Sequence, residues 1–275
     1  MNDATVSVLV PTYNGALHIG PAIDSVLSQR DVSLELVVVD DHSTDGTADI
    51  VDAWRDPRVR VVRNPSRLGP EGNWNRALEL ATGKYVKLLP QDDLLHPGSL
   101  AAQVAALEAD ADETIALVFG GRDIIGPTGR ILARRGFTAA APGRIAAATL
   151  LRQCVRRGTN VIGEPGAVLF RRSLARRVGR FDAQQGFVID LDYWFRLLAH
   201  GDAWYIAQPV SSFRVSGGSW SVAIGRRQTR QYTDFIARMN AAGLVSGSRS
   251  DFAIGKAAAM MNTVLRLAFY KMFVR

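Results

Sequence analysis

Short apolar runs alternate with amphipathic stretches through the first 120 residues of the chain. Residues 6–10 (VSVLV) are apolar enough for a buried parallel strand. They run into Pro11-Thr12-Tyr13-Asn14-Gly15, a turn by composition. Ile19, Ala22, Ile23, Val26 and Leu27 recur at helical spacing and predict a helix over 19–29. Residues 34–39 (LELVVV) read as a second buried strand, 48–54 as a helix and 59–63 as a third strand. This order opens a doubly wound α/β sheet with right-handed crossovers. A helix over 71–81 ends at Thr82-Gly83, and a strand over 84–89 follows. Pro90 stops that strand, because proline has no N–H to give a ladder. Residues 99–108 predict an Ala-rich helix and 115–119 a further strand. From 120 to 163 the pattern loosens, leaving only a helix over 145–155. Beyond it lie a strand over 168–170, a helix opening at Asp190, and two helices over 226–242 and 252–274.

The second of these terminal helices changes the picture. Lys256, Thr263, Arg266 and Lys271 fall on one broad side at about 100° per residue, opposite a wide face of Met, Leu, Val and Phe. Its three basic residues argue against a membrane span and for an interfacial helix, with packing on the catalytic domain or a second subunit as the alternative. Charge sharpens this. Residues 1–221 carry 24 basic and 24 acidic residues, so the net charge of +7 belongs to residues 222–275. A basic, apolar tail suits an anionic membrane surface, whereas nucleic-acid binding calls for a basic face with interleaved aromatics. We expect no nucleic-acid partner.

The rest of the composition bounds the answer further. With 47% hydrophobic and 21% charged residues in 275, the chain is globular and forms one large domain, or one domain with an appendage. A single cysteine, Cys154, excludes an internal disulfide and any cysteine-rich metal site. The N-terminal MNDATVSVLVPTYNG has no basic n-region and reads as a strand, not a signal peptide. A cytoplasmic protein, peripheral at the inner face of the cell membrane, is the expected placement.

Three groups of polar residues follow the first, second and fourth strands: Thr12, Tyr13 and Asn14; Asp40 and Asp41; Asp92 and Asp93. Open α/β sheets bind ligands beyond the carboxyl ends of their strands, so these groups can converge on one crevice. Adjacent carboxylates repel each other, and a hard divalent ion on a diphosphate relieves this. A solvated turn before a helix is the alternative for the Asp92-Asp93 pair. No glycine-rich phosphate loop is present, which argues against a nicotinamide dehydrogenase or a P-loop ATPase. An aromatic ring, a base-reading carboxylate and a metal-binding carboxylate are what a nucleoside diphosphate needs.

Four segments, in order, resemble the family 2 glycosyltransferases of the GT-A fold: VSVLVPTYNGALHIGPAIDSVLSQ…LELVVVDDHSTDGT, GNWNRALELATGKYVKLLPQDDLLHPGSL, IGEPGAVLFRRS and IDLDYWFRLLAHGD. The resemblance covers residues 5–215. It implies an inverting transferase that moves a sugar from a nucleotide-diphosphate donor, UDP favoured, to an acceptor hydroxyl, with Mn²⁺ or Mg²⁺. The acceptor would be a polysaccharide, glycolipid or lipid-linked sugar. The expected layout is a GT-A domain over 1–221, a helical tail over 222–275, and within the domain a donor half (1–119) and an acceptor half (120–221).

Carried over residue by residue, Asp41 would accept the N3–H of a uracil-type base. Pro11, Thr12, Tyr13 and Asn14 would line the donor pocket with Asp40, Arg67 and Asp92. The alternative for Asp41 and Ser43 is an Asx-turn leading to a helix cap, and both roles can coexist. Asp92 and Asp93 correspond to the metal motif, whose first Asp is Pro90 here, so either could ligate the ion. Glu164 and Gly166 match the acceptor-side strand, where a small residue lets a sugar approach the backbone. Asp190 matches the catalytic base, which takes the acceptor proton as the hydroxyl attacks. The helix N-terminus should lower its pKa. Asp192 would cap the helix or bind sugar, and Trp194 would help hold the acceptor. Arg214 would neutralise diphosphate charge or form a structural ion pair, while Ser216 stands where relatives often carry His. Two rivals remain: a sugar nucleotidyltransferase, which would need a basic glycine-rich loop near the N-terminus, and a catalytically impaired GT-A scaffold or binding protein at a membrane surface.

Overall fold

The computed structural model describes residues 4–138, 141–184, 186–217 and 224–273. Its first half follows the predicted order: β1 (Val6–Thr12), α1 (Ile19–Leu27), β2 (Leu34–Asp40), α2 (Thr47–Asp52), β3 (Val59–Arg63), α3 (Gly69–Leu80) and β4 (Tyr85–Leu88). There follow β5 (Leu94–Leu95), α4 (Ser99–Glu108), β6 (Ile115–Ile125), β7 (Ile131–Arg135), β8 (Gly143–Ile145), α5 (Ala147–Arg157), β9 (Val168–Arg171), α6 (Arg172–Val178), α7 (Ile189–Leu198) and β10 (Asp202–Arg214). Helices α8 (Gln228–Ala241) and α9 (Arg249–Phe273) end the described chain.

The strands form one sheet in the order β3-β2-β1-β4-β9-β6-β10-β5, with β7 on β6 and β8 on β10. Strands β1 to β4 are mutually parallel, as are β6 and β10, while β9 runs antiparallel between β4 and β6. Alternate residues of the buried strands feed two cores. Leu9, Val37 and Val39 face the one that holds Trp194 and Phe170; Val8, Val10, Leu36 and Val38 face the one against Ile19 and Ile23. Strands β2 and β4 both pair with β1, and the order reverses there. The loops after β1 and β4 therefore flank a switch point, where open sheets place their ligands. The expected donor and acceptor halves share this single sheet, and the expected boundary at 221/222 lies outside the described residues.

The loosely patterned region is more ordered than its sequence suggests. β6 continues past Phe119 to Ile125 with every residue buried. Its Gly120-Gly121 pair and the charges of Arg122 and Asp123 look like loop, but the glycines admit a close neighbour. A Cβ on Gly120 would lie 2.5 Å from a Val210 methyl of β10.

The terminal helix turns its apolar side outward and packs through small residues. Its inner stripe is small and polar: Asp251, Gly255, Ala259 and Thr263 are buried. Its outer side is apolar, with Met260, Met261, Val264, Leu265 and Met272 all more than half exposed. The packing reason is close backbone contact. A Cβ on Gly255 would lie 2.1 Å from the Val155 carbonyl oxygen of α5, and one on Gly158 2.3 Å from the Ala259 nitrogen. Arg152 and Arg156 of α5 clasp Asp251, and the Thr229 hydroxyl of α8 bonds that of Thr263 at 2.8 Å. By length and a mean hydropathy of 1.2, α9 would reach across a bilayer, yet its inner stripe is committed to α5 and α8.

Candidate active site

The loop after β1 is tied to its neighbours by side chains. Asn14 adopts a positive φ of 49°, tolerated by its short polar side chain, and its Oδ1 accepts the Thr44 N–H at 2.9 Å. Gln91 was not singled out from the sequence, yet it joins the two ligand loops. Its Oε1 accepts the Tyr13 N–H at 2.8 Å and the Thr12 hydroxyl, and its Nε2 donates to the Tyr13 carbonyl at 3.1 Å. The Arg67 guanidinium stacks 4.0 Å from the Tyr13 ring centroid. Pro11 is buried in β1 opposite Val39; pairing of β1 with β4 ends at Leu9, so its missing N–H breaks no bond on that side.

The second loop spends most of its polar capacity internally. Asp40 is buried and accepts from the N–H and hydroxyl of Ser43, three residues on. Asp41, also buried, accepts from Asn64 Nδ2 (2.9 Å), the Leu68 N–H (2.7 Å) and the Gly69 N–H (2.8 Å) at the start of α3. A carboxylate offers about four lone-pair sites, so one remains to Asp41 for a base. Asn73, a second residue the sequence did not mark, donates to the carbonyls of Val39 (3.1 Å) and Thr12 (3.3 Å). It pins the carboxyl ends of β2 and β1 together. A buried polar residue on the inner face of α3 was the available signal.

Beside these loops lies a cavity of about 530 Å³. Asp92, Arg122, Asn160, Glu164, Asp190 and Arg214 contribute charged or polar groups to its lining, and Trp74, Phe187, Leu265, Phe269 and Tyr270 apolar ones. The carboxylates after β4 separate here. Asp92 lines the cavity, with no ion pair to Lys or Arg among the described residues, and burial raises its pKa. Asp93 is turned inward and does not line it: its Oδ1 accepts the Arg214 N–H of β10 at 2.9 Å. Burial, and then the Asp92 charge, push Asp93 well above the usual carboxylate range. Of the two residues expected to be able to ligate a metal, Asp92 is the one that faces the cavity, while Asp93 holds β10 through Oδ1.

Among the described residues Arg214 makes no ion pair. Nε donates to the Asp92 carbonyl at 2.9 Å, and one terminal nitrogen donates to the carbonyls of Gly126 and Pro127 at 3.0 Å. The guanidinium is thus fixed by backbone dipoles beside Asp92. This differs from the structural ion pair that was the alternative.

Asp190 opens α7 and faces the same cavity. Asn160 Nδ2 donates to its Oδ2 at 3.0 Å, and the Leu191 N–H to its Oδ1 at 2.7 Å. The sequence suggested a pKa lowered by the helix. Burial, and then repulsion by Glu164, instead raise it to about 7. Glu164 also lines the cavity, paired with the buried Arg122. Arg122 and Asn160 escaped the sequence reading because both sit in the region that looked like loop.

Three expected acceptor residues are placed elsewhere. Asp192 points from the opposite side of α7 and is clamped between Arg196 (2.8 Å) and Arg238 (2.7 Å), so its charge is consumed by the α7–α8 junction. Trp194 is fully buried, and its indole N–H donates to the Gly163 carbonyl at 3.1 Å, so it supports the segment before β9. Gly166 admits close approach, but of Leu89 and Ser211 rather than a sugar: a Cβ would meet them at 3.2 and 3.4 Å. Lys87, buried to 0% exposure, donates to the carbonyls of Gly166 and Val168 and so fixes this segment; burial lowers its pKa to about 7.

A divalent ion is implied by the resemblance. Among the described residues no three His, Cys, Asp or Glu side chains form a metal cage. A hard cation held by one carboxylate and the donor's own phosphates needs no cage, and the unpaired, cavity-facing Asp92 suits that arrangement.

Comparison with known proteins shows the family and the fold. A mycobacterial protein of uncharacterised function, MT1568 from Mycobacterium tuberculosis, is 32% identical over 75% of the chain and 66% of its own length. An Escherichia coli protein, the UDP-Glc:alpha-D-GlcNAc-diphosphoundecaprenol beta-1,3-glucosyltransferase WfgD, is 33% identical over 46% of the chain and 48% of its length. The chain thus spans two thirds or less of these relatives. The crystal structure of S. aureus TarS 1–349 with UDP-GlcNAc superposes with a TM-score of 0.69 at 18% identity, covering 98% of this chain and 76% of that one, which establishes the GT-A fold. The glycosyl transferase family 2 pattern matches residues 7–179, more than half of the chain, and the protein belongs to that family.

Proposed function

We propose that the protein transfers a sugar from a nucleotide-diphosphate donor, UDP favoured, to a saccharide hydroxyl with inversion, Asp190 acting as base. The observation that carries this reading is one cavity lined by both Asp92 and Asp190, the latter with a pKa of about 7. The donor's base and ribose would rest among Thr12, Tyr13, Asn14, Asp41 and Arg67. Arg214 would lie against the diphosphate. The acceptor oxygen attacks the anomeric carbon as the bond to the diphosphate oxygen breaks, and its proton passes to Asp190. A base with a pKa near the working pH is well matched to this transfer. A divalent ion, when bound, would neutralise charge on the departing diphosphate, with Asp92 as its protein ligand. Inversion follows from a single displacement.

For the acceptor we favour a lipid-linked saccharide presented at an anionic membrane surface. The exposed apolar side of α9, the basic excess beyond residue 221 and the acceptor named for the E. coli relative support this. Such work would place the protein at the inner face of the cell membrane. Calorimetric titration with UDP, GDP and dTDP, each with and without Mn²⁺, tests the donor reading. Metal-dependent binding of one of them is expected. A folded protein that binds none would favour a non-catalytic scaffold.

A further inference from the structure

The terminal helix does more than pack on α5: Asn262, Leu265, Arg266, Phe269 and Tyr270 are part of the lining of the cavity that holds Asp190. Two cations meet this part of it. Arg266 is half-buried, donates among the described residues to the neutral Gln228 Oε1 at 3.1 Å and Thr159 hydroxyl at 3.3 Å, and lies 5.0 Å over the Phe187 ring. Arg135, at the end of β7, lines the same cavity and is exposed. Neither forms an ion pair with a carboxylate among the described residues, whereas Arg122, Arg134 and Arg238 nearby all do. Burial, first, disfavours the charged form of Arg266; Arg135 does so too, while Tyr270 and Glu164 act the other way. The cavity also holds Asp92, Glu164 and Asp190, but none of them is ion-paired to Arg135 or Arg266, so both guanidinium groups keep donors to offer an anion.

The surroundings say what kind of anion. Leu265, the residue before Arg266, lines the cavity and is also 58% exposed. It continues outward into Met261, Val264 and Met272, so an apolar path leads from the two arginines to the outer side of α9. A free phosphate would have no use for such a path. A diphosphate joined to a hydrocarbon chain would use both.

We propose that Arg135 and Arg266 form an acceptor subsite for the diphosphate of a prenyl-type lipid carrier, whose chain leaves over Leu265 along α9. This rests on, and deepens, the glycosyltransferase reading: the saccharide between diphosphate and Asp190 would be positioned by the helix that also meets the membrane. Arginine suits the role because its planar fork can take two phosphate oxygens at once.

Farnesyl diphosphate, farnesol and inorganic pyrophosphate serve as probes, titrated into the full chain in EDTA so that the metal-assisted donor site stays silent. Farnesyl diphosphate should bind more tightly than either of the others. Arg266→Gln and Arg135→Gln should each weaken it by about tenfold, the scale of a lost charge-assisted hydrogen bond. Arg266→Lys should retain part of the affinity, and Asp41→Asn all of it. Arg135 is exposed, so its replacement leaves the fold intact and keeps the test decisive. Unchanged affinity in both glutamine variants would overturn the proposal, as would pyrophosphate binding as tightly as farnesyl diphosphate. Mn²⁺-dependent UDP binding on the same samples reads the donor site separately: its absence would sink the glycosyltransferase reading, whereas failure of the farnesyl diphosphate tests alone would sink only this subsite.

Discussion

Glu164 raises the pKa of Asp190 across the cavity they share, adding its charge to the larger effect of burial. Glu164 is itself anchored by Arg122, so its position is fixed from the buried strand β6. A base must be deprotonated to accept the acceptor's proton, so kcat/KM should rise with pH through about 7. Glu164→Gln removes the repulsion and should move this limb to lower pH, with Asp190 still functional. A pH–rate profile of both proteins checks it; a limb that stays in place would mean that Glu164 does not tune the base. The same shift has a stability counterpart. A carboxyl whose folded pKa lies above its unfolded value costs stability as pH rises through that interval, from near 4 to about 7. Asp190→Asn should therefore raise the melting temperature at pH 8 and leave it nearly unchanged at pH 4.

Asp92 and Asp93 are adjacent in sequence but are expected to fail differently. Asp92→Asn should weaken Mn²⁺-dependent nucleotide binding and leave the melting temperature close to wild type. Asp93→Ala strands the buried Arg214 N–H, which should cost about 1–3 kcal/mol of stability. Calorimetric titration and thermal melts on both variants separate the two roles. A stable Asp93→Ala protein that had lost metal-dependent binding would reverse the assignment.

Gly255 sets how closely α9 can lie on α5. A Val155 carbonyl oxygen only 2.1 Å from a hypothetical Cβ leaves no room, because backbone cannot give way as a side chain does. Gly255→Val should destabilise the protein by about 3 kcal/mol, the upper end for overpacking, and loosen the helix. Protease sensitivity confined to residues beyond 245, with the sheet still folded, is the expected pattern. Unaltered melting and proteolysis would show that the helix docks differently.

How far the sequence carries can be followed along the chain. β1, β2 and β4 were legible because parallel strands buried on both faces read as apolar runs, and the helices between them kept their spacing. The loops bearing Thr12, Asp41 and Asp92 followed from those strand ends. β6 beyond Phe119 was hidden by two glycines that exist to admit β10 and by Arg122, whose charge is matched by Glu164 far along the chain. Asp192 was expected to cap α7 or bind sugar, because it lies with Asp190 in the first turn of the helix. Two residues on, it faces a different side of the helix, where arginines brought by tertiary packing claim it. In α9 the pattern identified an amphipathic helix and its apolar face, but not that a stripe of small residues would pack inward on α5. Close backbone packing rewards Gly255 and Ala259 in a way that no periodicity records.

The most direct test of the account is Asp190→Asn, assayed for both nucleotide binding and sugar transfer. Asparagine keeps the shape and the Leu191 contact but cannot accept a proton at the working pH. Transfer should fall by roughly 10²–10⁴-fold, the usual contribution of a general base, while Mn²⁺-dependent UDP binding stays within about twofold of wild type. Transfer that survives the substitution, or a parallel loss of nucleotide binding, would contradict the assignment of Asp190 as the base.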